Sequence, residues 1–409
     1  VKLLWVKAGG LVPPDTGGKI RSYNILKELA RNHEVTVFSF HIAHPDDRHS
    51  ELQGLFHNVV CVPLEVPVGR GIRQLGNYLR HLASGLPFTV SKYCTPQVKR
   101  ELELLLEKET HDILICDFAF TAGAIPWQAS CPKVVFTHNV EAQIWKRHFD
   151  VAQNPLWKVV AGLEYRRTSR FERECLEKAD HVLTVSEQDR DFFAQFIARG
   201  KITAIPTGVD TDFFRPSADL ERSHSLIFTG SMDWMPNEDA IFYFGRDILP
   251  RVRAELADLS VHVVGRSPSA RLRTFGERIG MVITGRVDDI RPYVQRAAVY
   301  IVPLRVGGGT RLKIFEAMAM GKAVVSTSIG AEGLPVTHGV DILLADTAGD
   351  FAQAVLQLLR SNAERKRLGA AARTLVEQKY GWASVAAEFE AVLRRVTTGE
   401  GRESAHRRA

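Results

Sequence analysis

Residues 303–321 read Pro-Leu-Arg-Val-Gly-Gly-Gly-Thr-Arg-Leu-Lys-Ile-Phe-Glu-Ala-Met-Ala-Met-Gly. An apolar strand ends at Pro303, Gly307, Gly308 and Gly309 form a turn, and Thr310 is a good N-cap for a following helix. Backbone amides at a helix N-terminus bind phosphate, and glycines let the ligand come close. Arg311 and Lys313 add positive charge beside the turn. Lys313 and Glu316 are three residues apart and share a helix face. A carboxylate at that place can accept two hydrogen bonds from a ribose diol. Phosphate at the turn and ribose one turn later is the layout of a nucleotide site. The same spacing also suits a solvent-exposed ion pair on an ordinary helix.

Two further clusters lie at the ends of apolar runs. Pro13-Pro14-Asp15-Thr16-Gly17-Gly18-Lys19-Ile20-Arg21 follows the first strand and opens the first helix. Gly17 and Gly18 can present amides to an anion there, or simply make a tight turn. Thr137-His138-Asn139-Val140-Glu141 follows another strand. A lone histidine is more often structural, but in an open α/β sheet the carboxyl end of a strand borders the ligand crevice, which shifts His138 towards a functional role. The Walker pattern G-x-x-x-x-G-K-[ST] is absent, and Gly307–Gly309 lacks the third glycine of G-x-G-x-x-G, so ATPase and dinucleotide-dependent oxidoreductase chemistry are disfavoured. Asp-x-Asp occurs at Asp189/Asp191 and Asp210/Asp212, but so short a pattern arises by chance. No metal site is expected.

These clusters need rigid elements to position them. Short runs rich in Val and Ile at 3–6, 34–40, 59–63, 112–116, 133–137 and 181–185 predict buried parallel strands, with helices over 18–32 and 99–109. The pattern restarts with strands over 225–229, 260–264, 281–284, 299–302 and 323–326 and helices over 240–256, 270–279, 310–320 and 350–359. Repeated β-α units predict two doubly wound domains facing a cleft, with the boundary near 200–216. The 409 residues suffice for two large cores, and 45% hydrophobic with 24% charged residues excludes disorder, collagen and coiled coil. Five cysteines, an odd number without C-x-x-C spacing, point to a reducing compartment. No uninterrupted apolar run reaches the ~18 residues of a spanning helix, so a cytoplasmic location is expected. The net charge of +6 is not spread evenly. Residues 66–100 hold Arg70, Arg73, Arg80, Lys92, Lys99 and Arg100 and no acidic residue. Leucines recur near helical spacing around Arg80, so the segment can lie on an anionic bilayer or pack its apolar side on the core. No nucleic-acid motif accompanies the charge.

The motifs together resemble the retaining, GT-B-fold glycosyltransferases of family four, often called group 1. The resemblance covers nearly the whole chain and is carried in family order. Pro14-Asp15-Thr16-Gly17-Gly18 is similar to the glycine loop over the donor diphosphate, and His138-Asn139-Val140-Glu141 to a motif near the donor sugar. Residues 185–189 and 205–213 look like hinge signatures, and residues 228–234, 264–265, 285–289 and 316–321 follow. Two departures stand out. Gly308 occupies the place of a family glutamate, and Ser231 and Asn237 occupy the places of an arginine and a lysine after Gly230. By charge, Arg311 and Lys313 would take over for the latter.

The resemblance implies an α/β GT-B fold with two Rossmann-like domains facing a central cleft. It implies an acceptor-side domain over 1–200, a donor domain over 201–380, a helix over 381–396 returning to the first domain, and a disordered basic tail over 397–409. The implied activity is retaining, metal-independent transfer of a hexosyl group from a UDP- or GDP-sugar to a glycan or lipid-linked acceptor, as in bacterial surface or exopolysaccharide synthesis. No cofactor is implied beyond the nucleotide sugar as co-substrate. His138, Arg311, Lys313 and Glu316 are the implied catalytic set. Gly17, Gly18, Gly230, Arg286, Val287, Gly307, Gly308, Gly309 and Thr310 are the implied donor contacts. The basic segment 66–100 would place the enzyme peripherally on the inner face of the membrane. A catalytically degenerate nucleotide-sugar-binding protein is the alternative raised by Gly308; another GT-B enzyme, such as a sugar-nucleotide epimerase or a phosphorylase, is a second.

Overall fold

A computed structural model describes residues 1–14, 16–42, 49–64, 81, 84–152, 154–217, 221–306 and 312–399. The chain divides into two compact units, Val1–Pro206 with Val385–Ala409 and Thr207–Ser384.

The first unit is built on a seven-stranded sheet. In chain order its strands are β1 (Lys2–Ala8), β2 (Glu34–Ile42), β3 (Asn58–Leu64), β4 (Ile113–Asp117), β5 (Lys133–Phe136), β6 (His181–Thr184) and β7 (Ile202–Ala204). Their spatial order is β3-β2-β1-β4-β5-β6-β7 and every pairing is parallel. Helices cover both faces of such a sheet, so its strands are largely apolar: Leu3, Leu4, Trp5 and Val6 are all fully buried. Helix α1 (Gly17–Leu29) links β1 to β2. Helices α2 (Glu141–Val151) and α3 (Pro155–Lys178) form a hairpin between β5 and β6.

The second unit repeats the plan with β8 (Ser225–Thr229), β9 (Ser260–Val264), β10 (Val282–Gly285), β11 (Val299–Val302), β12 (Ala323–Ser326) and β13 (Leu343–Leu344). Their order is β10-β9-β8-β11-β12-β13, again all parallel. Helix α4 (Leu312–Ala319) connects β11 to β12. Both sheets reverse direction of growth beside their first strand, between β1 and β4 and between β8 and β11. In open α/β sheets the ligand crevice lies outside the carboxyl ends of the strands at that switch point. Helix α5 (Trp382–Thr398) closes the chain. Its Phe389 is fully buried, stacking on Trp5 at 5.6 Å and meeting Phe136 edge-on at 5.3 Å.

The helix expected over 240–256 is three consecutive helical segments, Met235–Tyr243, a π-turn at Phe244–Ile248, and Leu249–Arg253. The short strands β7 and β13 and the long helix α3 had no counterpart in the sequence reading. Helix α3 buries Ala161, Glu164, Thr168, Glu172 and Cys175 at helical spacing. Its inward face is largely polar, so an apolar period does not reveal it. The glutamates serve main-chain donors: Glu164 accepts from the Phe88 N–H at 2.8 Å, and Glu172 from the Glu141 and Ala142 N–H groups at 2.7 and 3.0 Å. Glu172 thereby satisfies the open amino end of α2. Burial nevertheless pushes its carboxyl up to about 8.

Candidate active site

In the first unit the switch point holds a buried polar network. Asp117 is the last residue of β4 and Lys7 the next-to-last of β1, and both are sealed from solvent. Four donors converge on the Asp117 carboxylate. Oδ2 accepts from Trp5 Nε1 at 2.9 Å, Lys7 Nζ at 2.9 Å and Ser22 Oγ at 2.6 Å, and Oδ1 faces His138 Nε2 at 2.6 Å. Arg21 Nη1 lies 2.8 Å from His138 Nδ1. Lys7 and His138 hold the Asp117 carboxyl far below the usual carboxylate range, against the pull of burial. Burial lowers the His138 imidazole to about 4, so the ring is neutral at pH 7. Its tautomer follows from its partners. An arginine can only donate, so Nδ1 accepts and the proton sits on Nε2, directed at Asp117. Both ring nitrogens are therefore engaged within the protein.

Phe118 follows Asp117 with φ +73°, a conformation uncommon for a bulky residue and a mark of a functional or tightly constrained position. Its ring stacks on His138 at 4.0 Å. The same ring explains Gly18. A Cβ there would stand 2.6 Å from Phe118 Cζ, so only glycine lets α1 approach. Gly17 and Gly18 form the first turn of α1, and the Thr16 side chain does not cap it. That turn has no acidic residue either. Its amides are suited to an anion, next to the two buried cations Lys7 and Arg21. Asp15 lies outside the described residues.

In the second unit three loops meet beyond β8, β9 and β10. The Gly230 N–H donates to the Val264 carbonyl at 3.0 Å and the Gly265 N–H to the Gly285 carbonyl at 3.2 Å. A Cβ on Gly265 would sit 1.7 Å from the Gly230 carbonyl oxygen, so the backbones pack too closely for any side chain. Lys313, on the first turn of α4, reaches this corner. Its Nζ donates to Asn237 Oδ1 at 2.7 Å and lies 4.1 Å from the Phe228 ring centre. Asn237 Nδ2 in turn donates to the Ser231 carbonyl at 2.7 Å. A Cβ on Gly230 would come within 2.6 Å of the Lys313 ammonium. Glu316 lies three residues on, half-buried, with no hydrogen-bond partner among the described residues. Burial pushes its carboxyl up to about 7, with Lys313 pulling the other way. A cation at the carboxyl end of β8 and an unsatisfied carboxylate beside it can take a phosphate and a diol.

Arg286 and Val287 follow β10, Arg286 exposed and Val287 packed on the unit's core. Gly307, Gly308, Gly309, Thr310 and Arg311 lie outside the described residues. Asp210 accepts from the Asp212 and Phe213 N–H groups at 3.1 and 2.8 Å, which gives that Asp-x-Asp pair a turn-forming role. Sequence reasoning missed Asp117, Lys7, Ser22 and Arg21 as a network. The available signal was a charge closing an apolar strand, in Ile-Leu-Ile-Cys-Asp117 and Leu-Leu-Trp-Val-Lys7.

Comparison with known families assigns both halves. Residues 16–213 match Glycosyltransferase Family 4, and residues 223–361 match the glycosyl transferases group 1. The chain carries two glycosyltransferase domains. Among relatives of this glycosyltransferase is the phosphatidyl-myo-inositol mannosyltransferase of Mycobacterium tuberculosis, 29% identical over 47% of this chain and 53% of the relative. A GDP-mannose-dependent alpha-(1-6)-phosphatidylinositol monomannoside mannosyltransferase of the same species is 27% identical over 53% of this chain and 62% of the relative. These matches span little more than half of each mannosyltransferase. An uncharacterised 44.6 kDa protein in the cps region of Klebsiella pneumoniae is 22% identical over 71% and 76% of the two chains. Two solved structures share the GT-B fold. Sucrose-phosphate synthase from Thermosynechococcus elongatus has a TM-score of 0.70 at 18% identity over 98% of this chain and all of its own. Anabaena Alr3699/HepE, solved with UDP and glucose, has a TM-score of 0.67 at 14% identity over 96% and 99%. Among the described residues of the glycosyltransferase, no helix is long and apolar enough to cross a membrane.

Proposed function

We propose that the chain transfers a hexosyl group from a UDP- or GDP-sugar to a glycan or lipid-linked acceptor, with retention of anomeric configuration and without a metal ion. The observation that carries this reading is the pairing of Lys313, anchored on Asn237, with Glu316, which has no hydrogen-bond partner among the described residues, at the switch point of the second unit. Lys313 neutralises the diphosphate as it departs, together with Arg311 and the Gly307–Gly309 amides. Preorganised donors of this kind supply the largest catalytic term in many enzymes. Glu316 accepts the ribose hydroxyls, Gly230 gives the diphosphate close access, and Arg286 and Val287 flank the base. Within the first unit, the α1 amides of Gly17 and Gly18 lie beside the cations Lys7 and Arg21 and suit an anion. Both His138 ring nitrogens are held there by Asp117 and Arg21, so in this reading the ring does not take a proton.

Relatives named for GDP-mannose and a neighbour solved with UDP support both donor bases. Relatives named for phosphatidylinositol substrates support a lipid-linked acceptor, and the relative from a cps region fits a surface-polysaccharide role. Residues 66–80, 82 and 83 of the basic segment 66–100 lie outside the described residues. The α2–α3 hairpin carries a second feature suited to lipid. Leu156 and Val159 are 80% and 71% exposed, alongside Ile144, Phe149 and Trp157. Lys146, Arg147 and Lys158 stand beside them against the single acid Asp150. An apolar surface with a basic rim favours an anionic bilayer, on the cytoplasmic face in this reading.

Thermal-shift titration with UDP, GDP and ADP, then with their sugars, tests the donor. One nucleoside diphosphate is expected to raise Tm in the wild type and to lose that effect in Lys313→Ala. Equal, small shifts with all three, unchanged by that substitution, would refute the site.

A further inference from the structure

The second unit has a cavity at the opposite end of its sheet from Gly230 and Lys313. Its volume is about 60 Å³, and Arg222, Ser225, His262, Tyr293 and Arg296 line it with the apolar Ile227 and Ala297. Arg222 sits just before β8. Tyr293 and Arg296 lie on the short helix Arg291–Arg296 that precedes β11. The chain clips the two arginines together: the Arg222 N–H donates to the Arg296 carbonyl at 2.9 Å, and Ser225 Oγ donates to the same carbonyl at 3.0 Å. His262 comes from β9, in register with Ile227 of β8.

Among the described residues, two acids beside these segments are already engaged. Glu221 is shared by Lys322 at 3.4 Å and Arg365 at 2.9 Å, and Asp258 pairs with His224 at 2.8 Å. Among the described residues, neither the Arg222 nor the Arg296 guanidinium has a hydrogen-bond or ion-pair partner, and the Tyr293 hydroxyl and the His262 ring have none either. Burial and the two arginines lower the His262 imidazole below its ordinary value. Two unpaired guanidiniums about one hollow repel each other until an anion enters, and their planar donor pairs match phosphate oxygens. A single water needs only ~10–15 Å³ by this measure, so the hollow has room for a larger occupant.

We propose that this cavity is a binding site for a phosphate group, held by Arg222 and Arg296 with hydrogen bonds from Tyr293 and His262, separate from the nucleotide site. The assignment does not rest on the sugar-transfer reading. Both arginines are exposed at the rim, so the ligand is either inorganic phosphate or the phosphoryl head of a small ester whose remainder stays in solvent.

Calorimetric titration of the full chain with sodium phosphate, against sodium chloride of equal ionic strength, tests it. Arg222→Gln and Arg296→Gln are each expected to weaken phosphate binding about tenfold or more, the loss typical of a charge-assisted hydrogen bond. Lys313→Ala is expected to leave it unchanged. Melting without phosphate checks that both exposed substitutions keep the fold. In the wild type, the NMR titration of the His262 ring is expected to move to higher pH when phosphate is added. Glycerol phosphate binding as tightly as phosphate would assign the site to esters, and binding of phosphate alone would assign it to the free ion. The proposal is overturned if phosphate acts no differently from chloride. It is equally overturned if Lys313→Ala abolishes binding while both arginine variants retain it, which would move the anion to the nucleotide site.

Discussion

Replacing Asp117 by asparagine changes one atom and removes the centre of the buried network. In the first unit Oδ2 takes three donors and Oδ1 takes the His138 Nε2 proton. An amide fits neither way round. With its oxygen at the Oδ2 position, its NH₂ faces the His138 Nε2–H, and the ring can turn that nitrogen into an acceptor only by moving its proton to Nδ1, where Arg21 already donates. With the amide reversed, the NH₂ faces Trp5, Lys7 and Ser22. Both arrangements leave the Lys7 ammonium buried without a counter-charge. Removing one partner of a buried pair costs about 3–5 kcal/mol. Asp117→Asn is therefore expected to destabilise the first unit by about that much, measured by urea unfolding and by hydrogen exchange in β1 and β4. Lys7→Met in the same background removes the stranded charge, so the double variant is expected to lose at least about 2 kcal/mol less than the sum of the singles. A loss under about 1 kcal/mol for Asp117→Asn, or strict additivity in the double variant, would refute the reasoning.

Four further outcomes are expected. His138 is lowered in the folded chain, so between pH 6.5 and about 4 the unfolded chain binds more protons and stability falls as pH drops. Glu172 and Glu316 are raised and tilt stability the opposite way, so the difference in urea stability between wild type and His138→Gln across pH 4–7 isolates the histidine. Glu316 must be ionised to accept a ribose diol, so nucleotide affinity is expected to rise from pH 6 to 8 in calorimetry and to lose that dependence in Glu316→Gln. Gly18→Ala pushes on the Phe118 ring and is expected to cost about 1–3 kcal/mol. Gly265→Ala drives a Cβ into the Gly230 carbonyl, where no side chain can yield, and is expected to cost about 3 kcal/mol or more in thermal melts.

The sheets were legible because their strands carry short runs rich in Val, Ile and Leu: residues 225–229, 260–264, 299–302 and 323–326 match the structure to the residue. Strands of two or three residues such as β13 and β7 are too short to show a pattern. Helix α3 hides its inward face behind Glu164, Thr168 and Glu172. In the second unit, Lys313 and Glu316 were legible as one helix face, but the Lys313–Asn237 hydrogen bond joins residues 76 positions apart and no local spacing announces it. In the first unit, His138 stands out by its place after a strand, whereas Asp117 and Lys7 are single charges at the ends of apolar runs. Only the parallel pairing of β1 with β4 brings those two together, with Lys7 and Asp117 in direct register.

The most direct measurement of the central claim is product analysis with a donor panel. Wild-type protein, Lys313→Ala and Glu316→Gln are incubated with UDP-glucose, UDP-galactose, UDP-N-acetylglucosamine and GDP-mannose over phosphatidylinositol-containing vesicles or a short glycan. Nucleoside diphosphate release and the anomeric proton of the product are followed by NMR. The account predicts release from one donor, an α-linked product from that α-linked donor, and a fall of about tenfold or more in each variant. A β-linked product would contradict retention. Tight binding of a nucleoside diphosphate with no donor consumed, by transfer or hydrolysis, would contradict catalysis itself.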